Sequence, residues 1–488
     1  MFAMTEDRYR PRYHVTPPEG WMNDPNGLVY FQGRYHMFYQ FHPDSTVWGP
    51  MHWGHAVSGD LVRWLHRPVA LAPDEHGAIF SGCAVVDRRD TAGLFGGEPG
   101  LVAVFTHHAD GADGRARERQ SLAYSRDAGA TWIKHAGNPV LEEPELTDFR
   151  DPKVLWHEPT KRWIMVVAAG NAVRFYASAD LTGWTFLSSF GADGRDLHGV
   201  WECPDLLELP VADGEGDSKW VLLVSLGCDD AEPAGSRMVY FVGDFDGATF
   251  RAEPGTPLPF DRGRDHYAAV SWSGLPPEDG RTLAIGWMSN WLYARTTPAD
   301  RFRGAMTLPR ELSLFCRDGV WRLRQAPARE LDRLCGGEAA IGRWREIAVA
   351  EGRGLDTGLK LTSYRLTAEF AAGTAAEFGI RLRRSERGET TVGCRVKEKL
   401  LFVDRRRSGE IGFSPAFPGV STAPVTLGEG RLKLDIWVDT TSVEVFADDG
   451  ETAMTHLVFP FPGDDGIDVY AGGGEARLLS LVIAPIAG

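Results

Sequence analysis

The chain has 488 residues, 43% of them hydrophobic and 24% charged, with a formal net charge of −15. That length exceeds what one small core needs and points to two domains, while the negative balance argues against nucleic acid or an anionic membrane as partner and suits a neutral substrate. No apolar run approaches the roughly 20 residues of a membrane span, and MFAMTEDRYRPRYH lacks the apolar core of a secretory signal, so the chain as written is expected in the cytoplasm, although a secreted chain whose leader had been removed would read the same. The six cysteines (Cys83, Cys203, Cys228, Cys316, Cys335, Cys394) form no CxxC pair and fit no zinc spacing, so they are expected to be small buried hydrophobes with no metal or cofactor.

In chain order, the first motif is WMNDPNG, with Asp24, and it leads into GLVYFQGRYHMFYQF, a hairpin turning at FQGR. A turn containing Asp and closed by an aromatic follows, SGDLVRW ending at Trp64. It recurs as SRDAGATW ending at Trp132, SADLTGW ending at Trp184 and DFDGATF ending at Phe250. Between these turns, Ser81, Asp151 in FRDPKV, Glu202 in WECPD and His266 each open another strand-like stretch. Five units of roughly 50 to 70 residues, rich in strand pattern and poor in helix pattern, predict an all-β, five-bladed propeller over residues 1–325. Residues 326–345 read as a linker with one short helical turn. From 346 to 488 polar and apolar residues alternate with period two (YRLTAEFAA, LKLDIWVD, SVEVFADD), which predicts a β-sandwich with Leu434, Ile436, Val438, Val443 and Val445 in its core.

In a propeller, equivalent positions on successive blades meet at the axis, so Asp24, Asp151 and Glu202 are expected in one funnel despite their separation in sequence. Each alone reads as a turn acid, since Asp before Pro favours extended backbone. Three at corresponding points of a repeat point instead to glycosidic bond chemistry, which needs a nucleophilic carboxylate and a proton-donating carboxyl. Asp24, between Asn23 and Asn26, suits the ionised nucleophile. Glu202, beside Trp201 and Pro204, suits an acid that desolvation keeps protonated, and Arg150 is expected to keep Asp151 ionised. His52 and His55 lie in a strand pattern that points them to opposite faces, which argues against a metal pair. The Arg-rich stretches 381–387 and 404–410 read as solvated hairpin ends.

WMNDPNG, FRDPKV and WECPD, in this order, resemble glycoside hydrolase family 32, the invertases, exo-inulinases, levanases and related fructosyltransferases. The likeness continues through WGPMHWGHAVSGDLVRW, IFSGCAVV, GWMSNW, RGAMTLPREL and VDTTSVEVFADDGE, and so covers nearly the whole chain. The resemblance implies a five-bladed propeller followed by a β-sandwich, and an exo-acting β-fructosidase that retains configuration. It implies Asp24 as nucleophile, Glu202 as acid/base and Asp151 as stabiliser of the transition state. It further implies substrate contacts from Asn23, Gln40, Trp48, Phe80, Ser81, Arg150 and Trp287, with Trp48 and Trp287 as apolar walls, and no metal or organic cofactor. A fructosyltransferase with the same site, and a carbohydrate-binding protein without turnover, are the alternatives. Linkage preference and oligomeric state are not legible in the sequence.

Overall fold

The computed structural model describes residues 7–486 except 112–113, 192–196, 212–217 and 336–340. Between Gly20 and Pro327 five antiparallel sheets follow one another. Each starts from an innermost strand: Gly20–Phe31, Ala78–Asp87, Phe149–His157, Trp201–Pro210 and Tyr267–Ser271. Each innermost strand packs against the next, the fifth against the first, so the sheets form a closed five-bladed propeller. The closure is bonded: Ser273 N–H donates to Leu28 O at 3.0 Å and Tyr30 N–H to Ser273 O at 2.9 Å, while the short strand Phe302–Arg303 pairs in parallel with Gly20 and Trp21.

Two of the repeated turns, those ending at Trp64 and Trp184, have a common physical basis. Asp60 Oδ1 accepts the N–H groups of Val62 and Arg63, and Asp180 Oδ1 those of Thr182 and Gly183, at 2.9 to 3.1 Å. Leu61 and Leu181 take left-handed φ values of 59° and 68°, and the indole N–H groups of Trp64 and Trp184 donate to their carbonyls at 3.0 Å. The aspartate thus does the backbone's hydrogen bonding at the turn, and the tryptophan locks it.

Strand Val320–Pro327 completes the fifth blade, and a 3-10 turn, Arg329–Cys335, follows. Strand Gly342–Ala350 then opens two packed six-stranded sheets, the sandwich. Both flanking strands reach into the stretch expected as linker. The strand from Gly342 was not legible because it is the outermost of its sheet and largely exposed along its length, which erases the polar–apolar alternation. Leu434, Ile436, Val438, Val443 and Val445 lie in the sandwich core. The solvated reading of the Arg-rich stretches needs correction: Arg383 and Arg405 are buried, Arg383 on backbone carbonyls and Arg405 on Asp265, the Tyr293 hydroxyl and Phe417 O. Among the cysteines, Cys228 and Cys316 are exposed rather than buried.

Propeller and sandwich meet through buried charge. Arg310 donates to Asp261 at 2.9 Å, to Gln325 at 2.8 Å and, across the interface, to Glu444 at 2.6 Å and Thr455 at 2.5 Å. His14 bridges Asp439 at 2.8 Å and Glu444 at 2.9 Å, and Arg405 pairs with Asp265 at 2.5 Å.

Candidate active site

The innermost strands share one irregularity. The pairing of each with its second strand slips by one residue, between Met22 and Pro25, Ile79 and Gly82, Arg150 and Lys153, Glu202 and Asp205, and Tyr267 and Val270. Each innermost strand therefore carries a β-bulge at the same level, and the bulges re-aim side chains into the funnel. The strain is visible in the backbone: Asp151, Cys203 and Ala268 have φ values of 65°, 46° and 53°, so Asp151 does not take the extended geometry expected before a proline. Pro152 and Pro204 fall where the ladder is already broken, so their missing N–H costs nothing there. Side chains satisfy freed N–H groups, Thr106 Oγ1 that of Asp151 at 3.0 Å and Ser225 Oγ that of Ala268 at 3.1 Å.

The bulges and the residues beside them line a cleft of about 420 Å³. Nine of the ten expected site residues face it: Asn23, Asp24, Gln40, Trp48, Phe80, Ser81, Arg150, Asp151 and Glu202. Asp24 Oδ2 accepts from Ser81 Oγ at 2.7 Å, whereas Asp24 Oδ1 has no hydrogen-bond partner. The Cys203 sulfur lies 3.6 Å from both Asp24 Oδ2 and Asp151 Oδ2, and Cys203 N–H donates to Asp151 Oδ2 at 3.0 Å. Gln40 donates its amide to Asn26 Oδ1 at 2.8 Å and Ile79 O at 3.1 Å, and the Trp21 indole fixes Asn23 Oδ1 at 2.7 Å. Both amides are thereby oriented before any ligand arrives.

Two expectations change. Trp287 is fully buried and packs behind Trp291, with ring centroids 4.7 Å apart; Trp291 lines the cleft instead. Both belong to GWMSNW, and a hairpin-end motif does not say which of its two indoles points outward. Arg150 also has different partners from those expected. Its guanidinium binds Glu202 Oε1 at 3.0 Å, Asp148 Oδ1 at 2.7 Å and Glu118 Oε2 at 3.2 Å. Burial pushes the Asp151 carboxyl up, to about 8, against the opposing charge of Arg150, and the neighbouring Glu202 and Asp24 add to it. Asp24 is raised likewise, by burial and then by Glu202, with Ser81, Asn23 and Cys203 opposing.

Several residues of the site were missed in the sequence. Tyr267 donates its hydroxyl to Glu202 Oε2. The fifth strand presents Tyr267 beside its bulge, not the His266 taken to open it, and only the register reveals that one-residue offset. Val200, Gly227, Cys228 and Arg295 complete the lining. The Arg295 guanidinium stands 5.8 Å from the Trp48 ring and 5.9 Å from the Trp291 ring, a cation between two indoles.

Residues 14–327 match the model of the glycosyl hydrolases family 32 N-terminal domain, and residues 330–485 that of the family 32 C terminal. The chain belongs to glycosyl hydrolase family 32. This family 32 chain is 48% identical over 488 residues to a levanase of Bacillus subtilis (strain 168), a match that covers 99% of the chain and 71% of the levanase. The crystal structure of exo-inulinase from Aspergillus awamori superposes with a TM-score of 0.90 at 34% identity, covering 100% of both chains. Fructofuranosidase from Schwanniomyces occidentalis, complexed with fructose, gives 0.88 at 28% identity, also over 100% of both.

Proposed function

We propose that the chain is a retaining, exo-acting β-fructosidase that hydrolyses the terminal β-D-fructofuranosyl residue of sucrose or of fructans such as levan and inulin. The observation that carries this reading is the convergence of Asp24, Asp151 and Glu202, from three blades, on one cleft in which a single sulfur touches two of them. The Asp24 carboxylate attacks the anomeric carbon, and Ser81, bonded to Oδ2, orients it. Glu202 gives its proton to the leaving oxygen. In the second step it takes a proton from water, which displaces Asp24 from the fructosyl ester. The two protonation states favour each other: a protonated Glu202 removes the charge that opposes ionisation of Asp24. Asp151 accepts hydrogen bonds from sugar hydroxyls that strengthen as the ring gains positive charge.

The exo preference rests on the likeness to the exo-inulinase of Aspergillus awamori. Along the strands beyond the bulges, Lys153 reaches from the third blade to Asp205 Oδ2 of the fourth at 3.0 Å and to Ser271 O of the fifth at 2.7 Å. This bridge ties three blades together at the axis. A chromatographic time course on sucrose, inulin and levan tests the reading. Free fructose from the start with slow shortening of the polymer is expected, and methyl β-fructofuranoside when methanol is added. Early oligosaccharides overturn the exo assignment, the α-methyl product overturns retention, and no product from any of the three overturns the enzyme reading.

A further inference from the structure

Arg150 is one cation among several carboxylates, and how it divides itself among them decides how firmly it holds Glu202. Its Nη2 serves Glu202 Oε1, and its Nη1 serves Asp148 and Glu118. Glu118 is on the second blade, is about 95% buried at its side chain and is not among the residues lining the cleft. Its Oε1 takes a second contact, from His108 Nδ1 at 3.2 Å. The His108 ring in turn stacks on Phe80, centroids 4.1 Å apart and planes within 5°, and Phe80 is a wall of the cleft. Other charged and titratable groups about this chain, among the described residues, include Asp151 beside Arg150, Asp110 at 4.0 Å from His108, and Tyr267, Asp24, Cys203 and Cys228 around Glu202.

We propose that Glu118 and His108 are positioning residues that act through Arg150: Glu118 draws the guanidinium away from Glu202, His108 occupies Glu118 and so limits that pull, and the balance fixes the alkaline limit of turnover. The reasoning is electrostatic. An opposite charge favours the ionised form of a carboxyl, and the effect of Arg150 on Glu202 grows as its other partners are removed. Neutralising Glu118 concentrates Arg150 on Glu202, which then loses its proton at lower pH. Removing the hydrogen bond of His108 leaves Glu118 with Arg150 alone and has the opposite sign. The proposal rests on the reading of Glu202 as the proton donor.

The test is the pH profile of kcat/KM on sucrose for the full chain, Glu118→Gln and His108→Phe, the latter keeping a ring against Phe80. The alkaline limb is expected to move down by about half a pH unit or more in Glu118→Gln and up in His108→Phe. On an aryl β-D-fructofuranoside, whose leaving group needs little protonation, both shifts in the bond-breaking step shrink. Two neighbouring substitutions that move one limb in opposite directions cannot do so by general damage. Limbs that stay put, or move together, in variants that retain cooperative melting overturn the proposal. Failure of the unmodified chain to release fructose overturns instead the reading beneath it.

Discussion

Buried carboxylates occupy two regions of this molecule and meet opposite fates. At the junction of propeller and sandwich, burial works to raise Asp439 and Glu444, but His14 outweighs it for Asp439, and Arg310 with His14 for Glu444, leaving both near 2. In the funnel, Asp151 is buried and Asp24 partly so, no cation bonds them directly, and both are raised. All four are carboxyls largely removed from solvent; the difference is whether a cation is in contact. The junction uses charge to hold two bodies in register, whereas the funnel leaves its carboxyls without a bonded cation, so that a substrate acquiring positive charge can supply one.

The comparison is broken most severely by Asp24→Asn, for which turnover of sucrose should fall on the order of 10⁴-fold or more while the fold is kept. Arg310→Leu attacks the other region. It strands Asp261 and Glu444, so unfolding should be easier by about 3–5 kcal/mol in a denaturant titration, with the folded fraction still active. Trp287→Ala and Trp291→Ala separate structure from contact at one motif. The first should cost about 3–5 kcal/mol of stability by leaving a cavity; the second should mainly raise KM, with little change in melting.

That pair also measures what the sequence could convey. The three acids and the five units were legible because a repeat constrains spacing, and nine of the ten named site residues do face the cleft. What escaped was register and direction: which indole of GWMSNW turns outward, and which residue of the fifth strand meets Glu202. A β-bulge inserts a residue without a composition signal, so the offset that brings Tyr267 to Glu202 has no trace in one sequence. The partners of Arg150 escaped for a related reason, since adjacency in the chain placed it beside Asp151 while the fold aimed it at Glu202 and Glu118.

Acid sharpens the contrast more gently. A carboxyl raised in the folded state binds more protons there than in the unfolded chain, so its effect on stability worsens as pH climbs from about 4 to about 8. Asp151→Asn should therefore melt a few degrees higher than the unmodified chain at pH 7, with the gain gone near pH 4. The junction runs the other way. Stability from Asp439 and Glu444 is present above the ordinary carboxylate range and is lost as pH falls towards 2. For His14, burial lowers and its two carboxylates more than restore, to about 9, so its contribution is full below about 6.5 and lost as pH rises through 9. The smallest expected effect is Arg295→Ala, a few-fold loss of kcat/KM on sucrose, because the guanidinium lines the cleft between the rings of Trp48 and Trp291.

The strand that bears Asp24 is made early and completed late. Its head pairs with Phe302 and Arg303, and the segment leading into it is fastened by His14 to Asp439 and Glu444. Residues 20–31 therefore leave the ribosome well ahead of residues 302–303, 439 and 444, which complete their surroundings. A strand left with an open edge pairs with whatever strand is nearest, including its copy on an adjacent polysome chain. The expected cost of that wait is in the yield of folded protein, and a molecule that does close its ring carries Asp24 in place.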